Sequence, residues 1–535
     1  MRTIKISINP KKHSAFYEYF HTNTADSKCM YNAASFYIRN TMTGIRKSPE
    51  ERTHLETEAL HDVFTAIQKA NAESLERYDK KMAKYRMDGG MKHAVCAWKL
   101  TKKPERQFSY PTYHNWFLSY ETLDAIFKYT NNPVYKRMNS QVNQKAIRRV
   151  TDAWKGYFES IKDYRRNPWK YTGKPRIPKY QKNEEYIAAF TNQTARLKEC
   201  HGVYYIHFVN KKEFFKIGRI PGYGKYRYVK AEVKPEYGRY ALLLTFDDNA
   251  KEVARPEKPE RIIGIDVGVD NFLAVGNNFG ATPFLIKGGA LKSMNHTFNK
   301  KRAQLMSSLT KGWDSTGSAK NSRRLYALSR NRDNFIRDFF YKCAWNICRF
   351  ALRNHANVIV LGQNKRQKQG LCLGTRTNQN FVSIPFCRFQ GILRAVTSKC
   401  GIYLIVREES YTSKASFLDM DDIPTYQDGN NLTYTFSGKR IHRGLYRSKN
   451  GDVINADING ACNIIRKEFP GAFKGKDITY LYQTTGVIKY QDLYGNACSV
   501  CTGKYNGKSH KAGISSGTNH LYKKHRRMEL LAAFR

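Results

Sequence analysis

The chain has 535 residues, enough for several domains that each bury a core, and 41% of them are hydrophobic. Its 92 lysines and arginines against 45 aspartates and glutamates give a formal net charge of +47, which is spread from one end of the chain to the other. Self-repulsion on this scale opposes folding unless a polyanion neutralises it, so the composition favours a nucleic-acid partner, and the lack of any apolar run of roughly 18 residues excludes a membrane-spanning helix.

The first residues predict a β-strand. The segment "RTIKISI" alternates polar or basic residues with apolar ones, and a long stretch of helical periodicity follows it. We expect residues 1–12 to be one strand of a β-domain whose other strands come later. The N-terminus has no apolar segment typical of a secretory signal, so we expect a cytoplasmic, nucleoid-associated protein.

Residues 13–166 are predicted to be helical. The clearest helix extends from about Met138 to Ile161, where apolar residues recur at helical spacing on one face. The other face is basic and is suited to phosphate, although any soluble basic helix shows the same division. The candidate nucleic-acid contacts on this face are Lys145, Arg148, Arg149 and Lys155.

Residues 167–257 predict a β-domain. The chain turns proline-rich after Asn167, and short alternating segments such as "YYIHFV" and "RYALLLTF" follow, which favours a small barrel that takes back the N-terminal strand. The stretch "YRRNPWKYTGKPRIPKY" mixes rings with basic residues, as phosphate neutralisation and base stacking would require, although most single rings belong in a core. Its candidate contacts are Lys174, Arg176 and Lys179.

Alternating strands and helices predict an α/β sheet domain at residues 258–470. A linker, "EVARPEKPERI", leads into "IIGIDVGVDNFLAVGN", which reads as two strands joined by a glycine-containing turn. A basic helical region covers about residues 292–354. The segments "VIVLG", "FCRFQGILRAVTSKC" and "IYLIVREE" then predict a strand, a helix and a strand.

Two aspartates bracket this alternation. Asp266 ends the apolar run "IIGID", and Asp457 lies at a predicted helix start in "INADINGACNIIRK". For Asp457 alone, a helix N-cap is the simpler explanation. The two aspartates together indicate a metal-dependent nuclease site more specifically than either does alone. Phosphodiester hydrolysis by two divalent ions needs about three carboxylates around metals about 4 Å apart. A third carboxylate should therefore come from another strand end.

Several motifs resemble the TnpB family of insertion-sequence-encoded, RNA-guided DNA endonucleases, which are relatives of compact type V CRISPR effectors. The resemblance covers residues 1 to about 470, is densest after about residue 260, and implies a multidomain α+β fold. A helical recognition lobe would be inserted in a wedge-like β-barrel, followed by a RuvC-like nuclease domain of RNase H fold. The motifs are "GKPRIPKY", "GIDVGVDNFLAV", "TNQNFVSIPF", "EESYTSKASFLD" and "FSGKRIHRGLYRSKNGDVINADINGACNIIRK".

The resemblance places the family's first catalytic aspartate on Asp266 and its last on Asp457. The family's usual glutamate would follow "VIVLG", but Gly362, Gln363 and Asn364 occupy that place. Either the chain has lost its chemistry or another residue supplies the carboxylate.

The next strand offers that residue, because some relatives use a displaced glutamate and "YLIVREESYTSK" places Glu408 and Glu409 at its end. In an RNase H-type sheet this strand should lie one position further from the Asp266 strand, about 4.8 Å away. Alternate residues face opposite sides of a strand, so only one glutamate can point at the metals. We favour Glu409 and keep Glu408 as the backup. The alternative is that both are exposed charges that pair with Arg407 or other neighbours.

A second departure concerns zinc. Many members of the family carry two cysteine pairs between the last two catalytic segments, whereas this chain has no cysteine from Gly401 to Ala461. We expect a cysteine-free, metal-free insert at about residues 415–452 and no zinc in the nuclease domain. The remaining basic candidates for nucleic-acid contacts are Lys365, Arg366, Lys368, Lys414, Lys439 and Arg440.

The last segment, residues 471–535, is a basic tail unlike the family pattern. It serves either as a guide-RNA contact or as a disordered extension. Cys498 and Cys501 have the spacing of a zinc knuckle, with His510 and His520 as further ligands, but no second closely spaced cysteine pair lies nearby. Two loop thiols are the preferred interpretation. The eleven cysteines, scattered through the chain, suit reduced thiols, and we predict no disulfide framework.

The sequence thus predicts an RNA-guided endonuclease, one monomer per guide RNA, that cleaves double-stranded DNA beside a short motif. Two Mg²⁺ would be held by Asp266, Glu409 and Asp457. The alternative is a nuclease-dead RNA-guided repressor, which the missing glutamate favours and the retained aspartates oppose. A DNA-strand transferase is less well supported, because no nucleophilic tyrosine motif is identifiable. Whether the guide comes from a transposon end or from a CRISPR array stays open.

Overall fold

The computed structural model describes residues 1–11, 13–87, 107–220, 222, 224–249, 252–311, 321–363, 383–425, 433–442, 444–482 and 485–494. The described chain divides into two compact units, with the boundary at residues 250/251. Both contain helices and sheets, so the predicted mixed α+β multidomain class is confirmed. Among the described helices none is long and apolar enough to cross a membrane.

In its described residues, the first unit combines five helices with seven strands. Helix α5 matches the helix predicted from the apolar repeat, and Val142, Ile147, Val150 and Trp154 are buried as expected. The helices are α1 (Ser14–Gly44), α2 (His54–Met87), α3 (Tyr120–Tyr129), α4 (Pro133–Arg137) and α5 (Ser140–Arg166). The strands are β1 (Arg2–Ile8), β2 (Ala188–Thr191), β3 (Ala195–Cys200), β4 (Val203–Phe208), β5 (Phe214–Gly218), β6 (Arg227–Glu236) and β7 (Arg239–Asp247).

The N-terminal strand returns to the later β-region, as the sequence predicted. Strand β1 pairs antiparallel with β7 along its whole length, with Arg2 opposite Phe246 and Ile8 opposite Tyr240. The strand order is β1-β7-β6-β2 in one sheet and β3-β4-β5 in the other. In the described part of the unit these two sheets do not close into a barrel, and their buried residues share one apolar core with the helices.

The second unit is built on a six-stranded sheet. Its helices are α6 (Gly289–Thr310), α7 (Arg323–Arg353), α8 (Phe386–Lys399) and α9 (Ala456–Glu468). The strands are β8 (Ile262–Val267), β9 (Asn271–Asn277), β10 (Phe284–Lys287), β11 (Val358–Gly362), β12 (Tyr403–Arg407), β13 (Lys439–His442), β14 (Leu445–Arg447), β15 (Val453–Asn455) and β16 (Gly486–Ile488). Short 3₁₀ helices at Pro49–Glu51, Pro168–Lys170, Thr479–Leu481 and Tyr490–Tyr494 complete the two units.

The six strands follow the order β12-β11-β8-β9-β10-β16. Strands β8, β11 and β12 are parallel, so their carboxyl ends meet at one edge of the sheet, whereas β9 is antiparallel to β8 and β10. Strand β12 therefore lies one position beyond β11 from β8, as expected for the strand that leads into the two candidate glutamates. Helices α7 and α8 pack on one face of the sheet, and α9 packs on the other.

Helix α9 approaches strand β8 so closely that one position must be glycine. A Cβ added to Gly264 would collide with the carbonyl oxygen of Ala461 and lie 2.6 Å from Cγ1 of Ile465. The backbone carbonyl of a packed helix cannot move aside as the end of a flexible side chain can. This contact sets the distance between α9 and the sheet.

Hydrogen bonds to two carboxylates organise the described part of the cysteine-free insert. Asp421 accepts from the backbone N–H of Ser416 (2.8 Å) and from the backbone N–H and hydroxyl of Ser437 (3.1 and 2.6 Å). Asp419 accepts from the Ser416 hydroxyl (2.6 Å) and from the backbone N–H of Lys449 (2.9 Å). The two aspartates thus connect the start of the insert to segments about 20 and 30 residues later.

We predict that Gly264→Ala lowers the free energy of unfolding by about 1–3 kcal/mol, because the added methyl overpacks the contact between α9 and β8. The matched control is Gly391→Ala in α8, where an added Cβ meets no atom of the described residues within 4 Å. There alanine should stabilise by roughly 0.5–1 kcal/mol through helix propensity. Chemical denaturation of both variants measures the difference, and equal effects would contradict the close contact.

Candidate active site

Asp266 lies near the carboxyl end of β8, on the face that α9 covers. Residues 264 and 266 are two apart on the strand and so point the same way. A Cβ on Gly460, in the second turn of α9, would lie 2.7 Å from Oδ2 of Asp266. The carboxylate therefore occupies the space that the missing side chain at position 460 leaves open.

Asp457 lies in the first turn of α9 but does not cap it. The N-cap is Asn455, whose side-chain oxygen accepts from the backbone N–H groups of Asp457 (3.0 Å) and Ile458 (3.2 Å). The N-cap explanation for Asp457 is therefore wrong. Its carboxylate instead accepts from Nδ2 of Asn271 (2.5 Å) and from the guanidinium of Arg440 (3.2 Å).

The two aspartates interact electrostatically. The pKa of Asp266 is raised to about 7, mainly by burial and also by the negative charge of Asp457. The backbone N–H of Val267 and the Arg440 guanidinium act in the opposite direction. A buried carboxylate beside a second one is stabilised in its charged form only if a cation neutralises the pair. Their acceptor oxygens are the ligands that Mg²⁺ prefers, so these residues fit a divalent metal ion.

Glu409 follows β12 and reaches back to the end of β11. A Cβ added to Gly362 would lie 2.6 Å from Oε2 of Glu409 and would collide with Cδ1 of Ile464 on α9. Gly362 continues the register in which Leu361 is opposite Ile265, so it lies beside Asp266. The Glu409 carboxylate is thus placed over the end of β11, where Gly362 has no side chain.

Glu408 points to a different partner. It accepts from Nζ of Lys467 (2.6 Å) and from the backbone N–H of Ser410 (2.6 Å). Burial acts to raise the Glu408 pKa, but the hydrogen bonds from Lys467 and Ser410 outweigh burial and hold the pKa below its usual value. Because Lys467 is buried on α9, Glu408 neutralises a charge that would otherwise be unpaired.

Two buried asparagines of α9 hold the segment that follows Glu409. Nδ2 of Asn463 donates to the carbonyl oxygens of Thr412 (3.0 Å) and Ala415 (2.7 Å). Asn459 donates to Ala415 (2.9 Å) and accepts from the backbone N–H of Phe417 (2.9 Å). The helix that carries Asp457 therefore also positions the loop that carries Glu409.

The three carboxylates are not drawn into a closed cluster. Across the described residues, no group of three or more His, Cys, Asp or Glu side chains is arranged to hold a metal ion. Sequence reasoning missed Asn271, which donates a hydrogen bond to Asp457, and Gly460, whose missing side chain leaves room for Asp266. Both lie inside the quoted motifs "GIDVGVDNFLAV" and "NADINGACN", which are the signal that could have identified them.

The predicted basic contacts differ in their surroundings. Arg149 is half-buried and pairs with Glu232, and Arg440 contacts Asp457, so both already face a carboxylate. Lys145 is half-buried, and Lys365, Arg366 and Lys368 lie outside the described residues, as do Cys498, Cys501, His510 and His520. The exposed candidates are Arg148, Lys155, Lys174, Arg176, Lys179, Lys414 and Lys439.

We predict that Asp266→Asn stabilises the protein in a metal chelator at about pH 8 and has little effect near pH 4. The folded-state pKa of about 7 exceeds the ordinary aspartate value of 3.8, so wild-type stability falls as the pH rises from about 4 to about 7. The gain at pH 8 should be on the order of 3 kcal/mol.

Thermal unfolding against pH measures this difference. The control is Asp247→Asn, because the hydrogen bond from Arg227 lowers the pKa of Asp247 and asparagine should not stabilise there. Equal stability of Asp266→Asn and wild type at pH 8 would show that Asp266 carries no electrostatic penalty.

Comparisons with known proteins give a family and several similar structures. The model of the family described as "OrfB_IS605: Probable transposase" matches residues 232–366. No curated protein matches the chain.

Three solved structures are similar at low sequence identity. A cryo-EM structure of a Cas12f1–sgRNA–target DNA complex is 14% identical, covers 75% of this chain and 82% of that chain, and has a TM-score of 0.40. A cryo-EM structure of a CRISPR–Cas12f ternary complex is 14% identical, with 76% and 81% covered and a TM-score of 0.28. The crystal structure of an AacC2c1–sgRNA binary complex is 8% identical, with 76% and 70% covered and a TM-score of 0.29. The family match begins within β6 and ends just after β11, so it includes the strand that carries Asp266 and the strand end at Gly362.

Proposed function

We propose that the protein is an RNA-guided endonuclease that cleaves double-stranded DNA. The observation that carries the proposal is the position of the Glu409 carboxylate. It lies over Gly362, beside the strand end that carries Asp266, and under the helix that carries Asp457. A carboxylate at this place replaces the glutamate that the sequence lacks after β11.

The sheet topology supports a RuvC-like domain of RNase H fold. Strands β10-β9-β8-β11-β12 form a mixed sheet in which β9 alone is antiparallel to the other four, with helices on both faces. That order and those directions are the ones an RNase H-type sheet requires. We extend the proposal to the rest of the predicted organisation: a wedge-like β-domain of two open sheets from residues 1–12 and 167–257, a helical lobe at 13–166, the nuclease domain at 258–470 with its insert at 415–452, and a tail at 471–535.

In this proposal Asp266, Glu409 and Asp457 would hold two Mg²⁺. When bound, the ions would stabilise the attacking and leaving oxygens of an in-line displacement by water that leaves a 5′ phosphate. Asn271 and Arg440 orient the Asp457 carboxylate by one hydrogen bond each. The Arg440 side chain is half exposed, so its charge is also accessible to a phosphate at the site.

The charge of the chain supports RNA and DNA as partners. A charge of +47 spread along the chain suits a guide–target heteroduplex, which such proteins hold by its backbone rather than by its sequence. We propose one monomer per guide RNA, located in the cytoplasm at the nucleoid. The guide would supply sequence specificity, while the protein would recognise a short adjacent DNA motif.

The first test is to purify the protein from its own host and sequence the RNA that comes with it. A discrete RNA with a constant scaffold and a variable guide is expected, and its constant part would distinguish a transposon end from a CRISPR array. RNA in proportion to cellular abundance would contradict RNA guidance. Plasmid cleavage with Asp266→Ala then separates the nuclease from a repressor, since the substitution should abolish cleavage but leave target binding unchanged. A wild-type complex that binds target without cutting would support the repressor.

The second test separates the two glutamates. We predict that Glu409→Gln lowers the cleavage rate by more than about 100-fold, because it removes a charged metal ligand. The matched control is Glu408→Gln, which loses only the pairing with Lys467 and should retain most of the rate while lowering thermal stability. The opposite pattern would assign the role to Glu408, and unchanged rates in both variants would place the third ligand elsewhere.

A further inference from the structure

The outward face of the β3-β4-β5 sheet carries two rows of basic and aromatic side chains. In the first row Arg196 is opposite His207, which is opposite Phe214. In the second row Lys198 is opposite Tyr205, which is opposite Lys216. We call these six residues the basic–aromatic face: Arg196, Lys198, Tyr205, His207, Phe214 and Lys216.

The alternating residues on the other side of the sheet form the core. Ala195, Ile206, Phe208 and Phe215 are buried there together with residues from the helices. Phe214, by contrast, is 48% exposed. Among the described residues its ring lies close to one other ring, the imidazole of His207, and the two ring centroids are 4.9 Å apart. Packing of the core therefore does not explain why a phenylalanine occupies this position.

The charge of the basic–aromatic face has one sign. Arg196, Lys198 and Lys216 are exposed, and Nζ of Lys198 lies 5.5 Å from the centre of the Phe214 ring. Glu199 is opposite Tyr204 in the register and so belongs to the other side of β3. Three cations beside two exposed or half-buried carbon rings, with no carboxylate among the six residues, complement a polyanion that also offers flat apolar surfaces.

We propose that the basic–aromatic face binds a single-stranded segment of nucleic acid. Unpaired bases would stack on Phe214 and Tyr205, and the flanking phosphates would pair with Arg196, Lys198 and Lys216. Neighbouring strands are about 4.8 Å apart and same-face residues of one strand are about 6.6 Å apart, so the rings can receive consecutive bases of an extended strand. The inference rests on the proposed function in taking nucleic acid as the partner, and it deepens that function by naming where an unpaired segment lies.

The same stacking chemistry suits RNA and DNA, so the experiment has two arms. A fluorescent oligouridylate RNA and the matching oligothymidylate DNA are each cross-linked by ultraviolet light to the full-length protein, freed of cellular nucleic acid and kept in a metal chelator. Mass spectrometry then locates the cross-linked residues. Cross-links at Tyr205 or Phe214 with one oligonucleotide support the proposal and identify whether RNA or DNA is bound. Cross-links with both oligonucleotides also support it and show that the face does not distinguish ribose from deoxyribose. Cross-links only elsewhere overturn it.

Substitutions at Phe214 distinguish the contribution of ring stacking from that of an apolar side chain of similar size. Phe214→Leu keeps an apolar side chain without a ring and should lower the affinity for the bound oligonucleotide about fivefold or more, whereas Phe214→Tyr keeps the ring and should bind as wild type. The loss should be the same at low and high salt, because stacking releases no counterions. Equal affinities of the leucine variant and wild type would overturn the proposal.

Substitutions of the basic residues test the phosphate contacts. Lys198→Gln and Lys216→Gln should each reduce the slope of log affinity against log salt by about 0.7, the value for one phosphate contact to a single strand. The matched control is Lys234→Gln, at an exposed lysine on β6 of the other sheet, which should leave the slope unchanged. The same change in all three variants would mean that only the overall charge matters and would overturn the site. Since the chelator removes catalysis from the assay, failure here is distinct from failure of the nuclease.

Discussion

Helix α9 can lie directly on strand β8 only because Gly264 has no side chain. The carbonyl oxygen of Ala461 occupies the position that a Cβ would need. The same close approach brings the start of the helix over the end of the strand, where Gly460 leaves room for the Asp266 carboxylate and where Asp457 lies in the first turn of the helix. The geometry of the candidate site therefore depends on two glycines that carry no chemistry of their own.

A side chain that follows one strand can occupy the space at the end of the neighbouring strand. The parallel strands β8, β11 and β12 end at one edge of the sheet, so a glutamate after β12 can cover the end of β11 if residue 362 has no side chain. Gly362 satisfies that condition. The missing side chain after β11 and the Glu409 carboxylate after β12 are thus two parts of one packing arrangement.

Asn459 and Asn463 connect that arrangement to the insert. Their side chains bind the backbone of residues 412–417, which would otherwise expose unsatisfied carbonyl groups in a buried place. The insert itself is organised by hydrogen bonds to Asp419 and Asp421, which link distant parts of the segment through backbone N–H groups. Hydrogen bonding thus positions both the candidate site and the segment beside it.

The sequence by itself determined the main strands and helices and the places of Asp266 near a strand end and Asp457 near a helix start, because hydrophobic periodicity and element ends are local properties of the chain. It also gave Glu408 and Glu409 as the two candidates for a third carboxylate. Only the tertiary structure decided that Glu408 pairs with Lys467, that Asn455 caps α9, and that Arg149 and Arg440 face carboxylates. Each of these outcomes, except the cap, depends on a partner between 17 and 83 residues away in the chain. Local sequence patterns cannot predict such a partner, because only the packing of helices and strands brings the two side chains together.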